Sequence, residues 1–276
     1  MSPHPGLPVA GGTRRTASAM VIAIVGLALA VGFLVAGVPA AALEPVDGPH
    51  PSIAPTCPSP WDGGSCLGPL AAGTYRTTVF EDPFTFTVPE GWANFEDLPG
   101  QVLLLPPGGI LQGVDAETSD YIGIDRPVGV GVAGGTNCDG IEPGVGLDPA
   151  SMAAALRTRE GIHVTEPVPV EVAGLTGLML DITDDPKSDA GCRDPEVSFP
   201  IKSIIAGMPP ADFANSIGPG ITMRLYLLAR GDSNFVIEVD DVANGPGTFE
   251  DYVPIIDSIE LVTPEPSKQP EGSPAS

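Results

Sequence analysis

The sequence predicts an α+β fold: a mostly antiparallel β-sheet flanked by two or more helices, preceded by one N-terminal transmembrane helix. Three observations lead there. Thr85 and Thr87 alternate with Phe84, Phe86 and Val88, the period-2 pattern of a strand with one apolar face. Two long alternating runs, Ile221–Ala229 and Asn234–Asp240, are joined by Arg230-Gly231-Asp232-Ser233, a hairpin signature. Asp148-Pro149 opens a helical stretch with a capping acid and Pro in the first turn.

The chain begins with a short basic segment, 1–18, carrying Arg14 and Arg15. Met20 to Val38 is then an unbroken run of 19 apolar and small residues, about the length that spans a bilayer as a helix. Bases precede it and acids follow it, which places the N-terminus in the cytoplasm and the bulk outside. Residues 19–43 thus read as a signal-anchor. The small residues around Ala40 and Ala42 leave a cleaved signal peptide, and hence secretion, as the alternative. Either way the chain is exported, at the cell membrane or beyond it. Residues 44–56 form a Pro-rich spacer, 57–263 the extracytoplasmic domain, and 264–276 a tail disordered by composition.

Charge narrows the partners. With Arg14 and Arg15 set aside, residues 44–276 carry 35 acids against 10 bases, a net of −25. Such a field disfavours nucleic acid and anionic lipid headgroups. It suits an exported domain, or weak binding of divalent cations. The membrane is reached through 19–43, and an unknown protein or small-molecule ligand is expected outside the cell.

Within the domain, Pro89-Glu90-Gly91 ends the first alternating strand. Asp97-Leu98-Pro99-Gly100 then turns the chain into a second apolar run, Val102–Leu105, and the two runs read as a pair with one apolar face. Tyr121–Asp125 and Val128–Ala133 read as strands. The helix from Pro149 stops at Gly161, and strands follow at Ile162–Thr165, Val168–Val172 and Leu175–Thr183. Thr248-x-x-Asp251 is a capping box before a last helix. Pro254 lies too deep for the first turn of that helix, so a kink or a late start is expected there.

Cys57, Cys66, Cys138 and Cys192 all fall on the exported side, where disulfides persist. Four cysteines allow three connectivities. Cys57 and Cys66 bracket a turn-rich segment and the other two lie in loops beside strands, so Cys57–Cys66 and Cys138–Cys192 are expected. The longer loop stabilises more by chain entropy, about 4 kcal/mol against about 2–3 kcal/mol. No CxxC spacing marks a metal or redox pair.

Few groups suggest chemistry. Gly231-Asp232-Ser233 resembles the nucleophile block of SGNH-type esterases, yet no histidine follows it to take the serine's proton. Arg230-Gly231-Asp232 is also the tripeptide that adhesive proteins display on hairpins. His163 opens a strand with no nucleophile identifiable beside it. Asp181, Asp184, Asp185 and Asp189 form an acidic run that could supply calcium oxygens, but without the spacing of an EF-hand loop. No catalytic residue and no cofactor is assigned. An exported hydrolase with a dispersed site and a calcium-stabilised structural protein remain as alternatives to a binding module.

GTYRTTVFEDPFTFTVPEGW (73–92), PVPVEVAGLTGLMLDIT (167–183) and FEDYVPIIDSIEL (249–261) resemble uncharacterised exported proteins of actinobacterial type. Their order is similar to that of PsbP/Mog1-like domains. That resemblance implies an antiparallel sheet flanked by helices and a binding or scaffolding role, with no ligand-binding residue set carried over.

Overall fold

The computed structural model describes residues 56–57, 68–108, 120–135, 138, 140–193, 199–209, 213–243, 245 and 247–262. The expected anchor at 19–43 lies outside them. Among the described residues no helix is long and apolar enough to cross a membrane.

In chain order the strands are β1 (Thr56–Cys57), β2 (Gly68–Pro69), β3 (Gly73–Thr77), β4 (Phe84–Val88), β5 (Ala93–Leu98), β6 (Gln101–Leu105), β7 (Tyr121–Asp125) and β8 (Val128–Val130). Helix α1 (Pro149–Arg157) precedes β9 (Ile162–Val164), β10 (Val168–Val172), β11 (Leu175–Asp184), β12 (Lys202–Gly207), β13 (Ala214–Ile217), β14 (Ile221–Arg230) and β15 (Ser233–Val242). Helix α2 (Phe249–Asp257) and β16 (Glu260–Leu261) close the domain. This is a mostly antiparallel α+β domain with two helices among the described residues.

A nine-stranded sheet runs β10-β11-β14-β15-β7-β6-β5-β2, with β9 paired to the far end of β11. Its centre is the β14–β15 hairpin, ten residues on each side, turned by Gly231-Asp232 with Gly231 at φ 59°. Alternation along β15 sends Phe235, Ile237 and Val239 to one face and Val236 and Val242 to the other. Both faces are therefore apolar, and each needs a cover.

On the first face lie a four-stranded sheet, β1-β3-β4-β16, and α2. Tyr75, Phe84, Phe86 and Val88 point inward, where Phe84 meets Phe235 edge-on with centroids 6.0 Å apart. Trp92 packs edge-on against Tyr252 of α2 at 5.5 Å. On the second face lie α1 and a three-stranded sheet, β13-β12-β8. Met152 and Leu156 of α1 and Ile204 and Ile205 of β12 are buried there against Leu225 and Leu227.

Three expectations need correction. Phe84–Val88 and Val102–Leu105 do not pair; they belong to different sheets and face each other across the first core. Alternation identifies an apolar face but not which partner lies beside it. The strand begun at Val128 ends at Val130. Helix α2 starts at Phe249 and runs through Pro254, because the capping box at Thr248 and Asp251 secures its first turn; Thr248 N–H donates to Asp251 Oδ2 at 2.9 Å. Strands β12 and β13 were not anticipated.

Asp120 ties α2 to the main sheet. Its buried carboxylate accepts from Val242 N–H (2.9 Å), Gly247 N–H (3.0 Å) and Tyr252 O–H (2.7 Å). Gly245 and Gly247 permit this approach: a Cβ on either would lie 2.1 Å from Asp120 Oδ1 or 2.3 Å from Tyr252 Oη. Removing the carboxylate strands buried donors on two elements. Asp120→Ala is therefore expected to lower unfolding free energy by about 3–5 kcal/mol, against about 1 kcal/mol for Asp148→Ala at the exposed cap of α1. Denaturant titration of both variants checks the contrast; equal losses would contradict the role given to Asp120.

Candidate functional site

The first face of the main sheet is covered at its centre and left partly open at the β10 end. Cross-strand registry sets Val168 opposite Met179 and Met179 opposite Tyr226, so one row of side chains runs from the edge into the core. Val168 is 49% exposed, the large hydrophobic side chain most open to solvent among the described residues. Val170, Leu175 and Met179 are half-buried against the core beside it, and Tyr226 is buried.

The adjacent row is polar. Asp181 stands opposite Arg224, which donates to it from Nε at 2.7 Å and from an Nη at 2.9 Å. The Arg224 guanidinium also lies over the ring of Phe249, 4.2 Å from its centroid. The bidentate bond to Asp181 holds the guanidinium above its ordinary pKa, and burial raises the Tyr226 hydroxyl. Asp257 adds negative charge near Tyr226. The result is a shelf of half-exposed aliphatic side chains bordered by a fixed arginine, two aromatics and acids. Chemically it can bind; it offers no activated nucleophile.

The residues singled out from sequence are placed apart. His163 pairs across β11 with Thr183, which pairs with Thr222 at the start of β14. Ser233 pairs with Arg230 at the other end of β14. Eight residues of strand separate these ends, about 27 Å. The His163 side chain is 69% exposed, with Asp185 Oδ1 3.9 Å away. Arg230 of the Arg-Gly-Asp tripeptide is engaged, its Nε donating to Asp82 Oδ2 at 3.0 Å.

The acidic run does not converge either. Asp181 binds Arg224; Asp184 lies 2.5 Å from Lys202 Nζ with both side chains buried; Asp185 accepts from Lys187 N–H; Asp189 is solvent-exposed near Arg193. Among the described residues no three metal-ligating side chains gather. Trp92 is a core residue, and Trp61 lies outside the described residues.

Cys192 is buried, and its backbone pairs with Gly135 and Ile201. Cys138 sits half-buried three residues beyond Gly135. Cys57 ends β1, with its backbone opposite Thr77, and Cys66 lies outside the described residues.

Sequence reasoning missed the Val168–Met179–Tyr226 row. Period-2 patterning marked all three as strand positions, but the row exists only once β10, β11 and β14 are in register.

Neither a known family model nor a curated protein matches the chain. Among solved structures, the chain is similar to a Bacteroides thetaiotaomicron protein at 13% identity and a TM-score of 0.30, over 66% of this chain and 46% of that one. It thus spans less than half the length of that protein. It is also similar to the Saccharomyces cerevisiae Ran-binding protein Mog1p at 11% identity and a TM-score of 0.29, over 70% of this chain and 86% of that one. Each is a likeness of fold, and no site residue transfers from either.

Replacing Arg224 removes the stacked, bidentate group that fixes the shelf's polar border. Arg224→Ala is expected to cost about 1–3 kcal/mol, and Arg224→Lys to recover only part of it, because an ammonium cannot make the forked pair. Full recovery by lysine in thermal unfolding would contradict the geometry.

Proposed function

We propose that the domain is an extracytoplasmic, membrane-anchored, non-enzymatic binding module, and that the β10 end of the main sheet is where it meets a protein partner. The observation carrying this reading is the row Val168–Met179–Tyr226: apolar, partly open and bordered by the fixed Arg224. Tyrosine, arginine, methionine and phenylalanine are the side chains that anchor interfaces. The outer edge of β10 itself is a poor strand template. Pro167 and Pro169 remove backbone donors from it, a usual protection against strand addition. Contact is therefore made through side chains on the face.

The partner's chemistry follows from charge. Glu171 and Asp257 are exposed near the shelf, and residues 44–276 carry a net −25. A partner surface with an apolar centre and a rim of lysine or arginine is complementary, and its approach is accelerated at low salt. The anchor at 19–43 and the Pro-rich spacer would hold the domain at the membrane with freedom to reach such a partner. The pairings Cys57–Cys66 and Cys138–Cys192 belong to the same proposal as crosslinks of an exported domain, Cys192 being a buried free thiol in the structure.

Peptide-display selection against the full chain in detergent, countered with Val168→Asp, tests the reading. Enriched peptides should combine apolar residues with lysine or arginine. They should lose about tenfold or more in affinity for Val168→Asp, and bind more weakly as salt rises. Peptides that bind Val168→Asp as well as the parent chain would contradict the site. Hydrolytic turnover abolished by changing Ser233 or His163 would contradict the non-enzymatic reading.

A further inference from the structure

The opposite face of the main sheet carries a second set of polar groups, remote from the β10 shelf. On β15, Glu238 and Asp240 alternate with Val236 and Val242 toward the second face. Registry sets Asp240 opposite Tyr121 of β7, Glu238 opposite Gly123 and Val236 opposite Asp125. The side-chain-free Gly123 leaves space there; a Cβ on it would lie 3.2 Å from Asp125 Oδ2. Asp125, Glu238 and Asp240 are each 0% exposed.

Partners are few. Tyr121 O–H donates to Glu238 Oε1 at 2.5 Å, and Asn215 Nδ2 of β13 donates to Oε2 at 2.5 Å. No oxygen of Asp125 or Asp240 has a partner at full hydrogen-bond geometry among the described residues; Gln101 bonds Asp125 more loosely, and Tyr121 and Glu238 bond Asp240 in the same way. From β5 the buried Glu96 adds negative charge, Asp120 and Asp241 add more at the Asp240 end, and β14 presents Met223 and Leu225.

No described cation pairs with the set. Arg126 and Arg230 bind Asp82, Arg157 binds Glu166, Lys202 binds Asp184, Arg224 binds Asp181 and Arg193 lies near Asp189. Arg159 is spent on the carbonyls of Ser203 and Gly131. A carboxylate buried without a cation is so costly that the group takes up a proton instead.

We propose that Asp125, Glu238 and Asp240 form a buried proton-binding site: folding loads it with protons, and rising pH, by ionising it, loosens the contact where Asn215 of β13 meets Glu238 of β15.

Burial first, then repulsion from Glu238, pushes Asp125 and Asp240 well above the usual carboxylate range. Glu238 is pushed up by burial to about 7, the bonds from Tyr121, Asn215 and Asp240 opposing the rise. Burial and the neighbouring acids keep Tyr121 protonated, so it remains a donor. In the unfolded chain these acids titrate near 4. The folded state therefore binds more protons from about pH 4 upward, and stability falls as pH rises through about 7. Below about pH 4 the cluster's contribution is complete and flat.

Thermal unfolding of the full chain in detergent, from about pH 4 to about pH 8 at constant ionic strength, reads this directly. The midpoint should fall across the range, and Glu238→Gln combined with Asp240→Asn, which removes two of the three carboxyls, should reduce the slope by more than half. A parent midpoint that is flat or rises would overturn the proposal, as would an unchanged slope in the variant. Infrared spectra of the unmutated chain give a readout that needs no variant to fold. A protonated-carboxyl carbonyl band should be present at neutral pH and fade on alkalinisation, and its absence would overturn the proposal equally.

Discussion

The structure depends on one constraint: the β14–β15 hairpin is apolar on both faces, so the sheet built on it has to be covered twice. One cover is the Phe84–Phe86–Val88 face of β4 with α2; the other is α1 with β8 and β12. Asp120 locks the first cover down through Val242, Gly247 and Tyr252. Asn234 helps secure the second, accepting from Val128 N–H at 2.9 Å and donating to Val128 O at 2.6 Å. Two bases join it on that side: Arg159, just beyond α1, donates to the carbonyls of Ser203 and Gly131, and Lys202 of β12 pairs with Asp184 of β11.

The scarcity of bases shapes the chemistry. With 10 bases from residue 44 onward, most of the cations described are committed to single acids or to backbone oxygens, and among the described residues none pairs with the carboxyls on the second face of β7 and β15. Burying them is tolerable only in neutral form. On the first face the same economy leaves one bidentate pair, Arg224–Asp181, beside exposed aliphatic side chains. The two faces thus differ in kind: one buries carboxyls for which no described residue supplies a cation, and the other exposes aliphatic side chains beside a fixed arginine.

Much of this was legible in sequence, because period-2 alternation and end signals are local. Asp148 before Pro149, Thr248 with Asp251, and the 230–233 turn located α1, α2 and the central hairpin close to where they stand. What sequence could not supply was partnership. Phe84–Val88 and Val102–Leu105 looked like one strand pair and are opposite walls of a core. Lys202–Gly207 is buried on both sides, so it shows no alternation, and β13 is short; neither carried a strand signal. For the site, the acidic run Asp181, Asp184, Asp185 and Asp189 read as a group, but its members find separate partners in and beyond β11. Glu238 and Asp240 sat inside a strand whose neighbours decide their meaning, and Val168 acquired its significance from Met179 and Tyr226.

Hydrogen exchange of the full chain tests the doubly covered sheet most directly. Amides of β14, β15 and β7 should exchange slowest, β12 should be protected with them, and β10 should exchange fastest among the strands of the main sheet. A β12 that exchanges as fast as surface turns would mean that the second face is not covered. A β10 as protected as β15 would mean that the proposed binding face is closed.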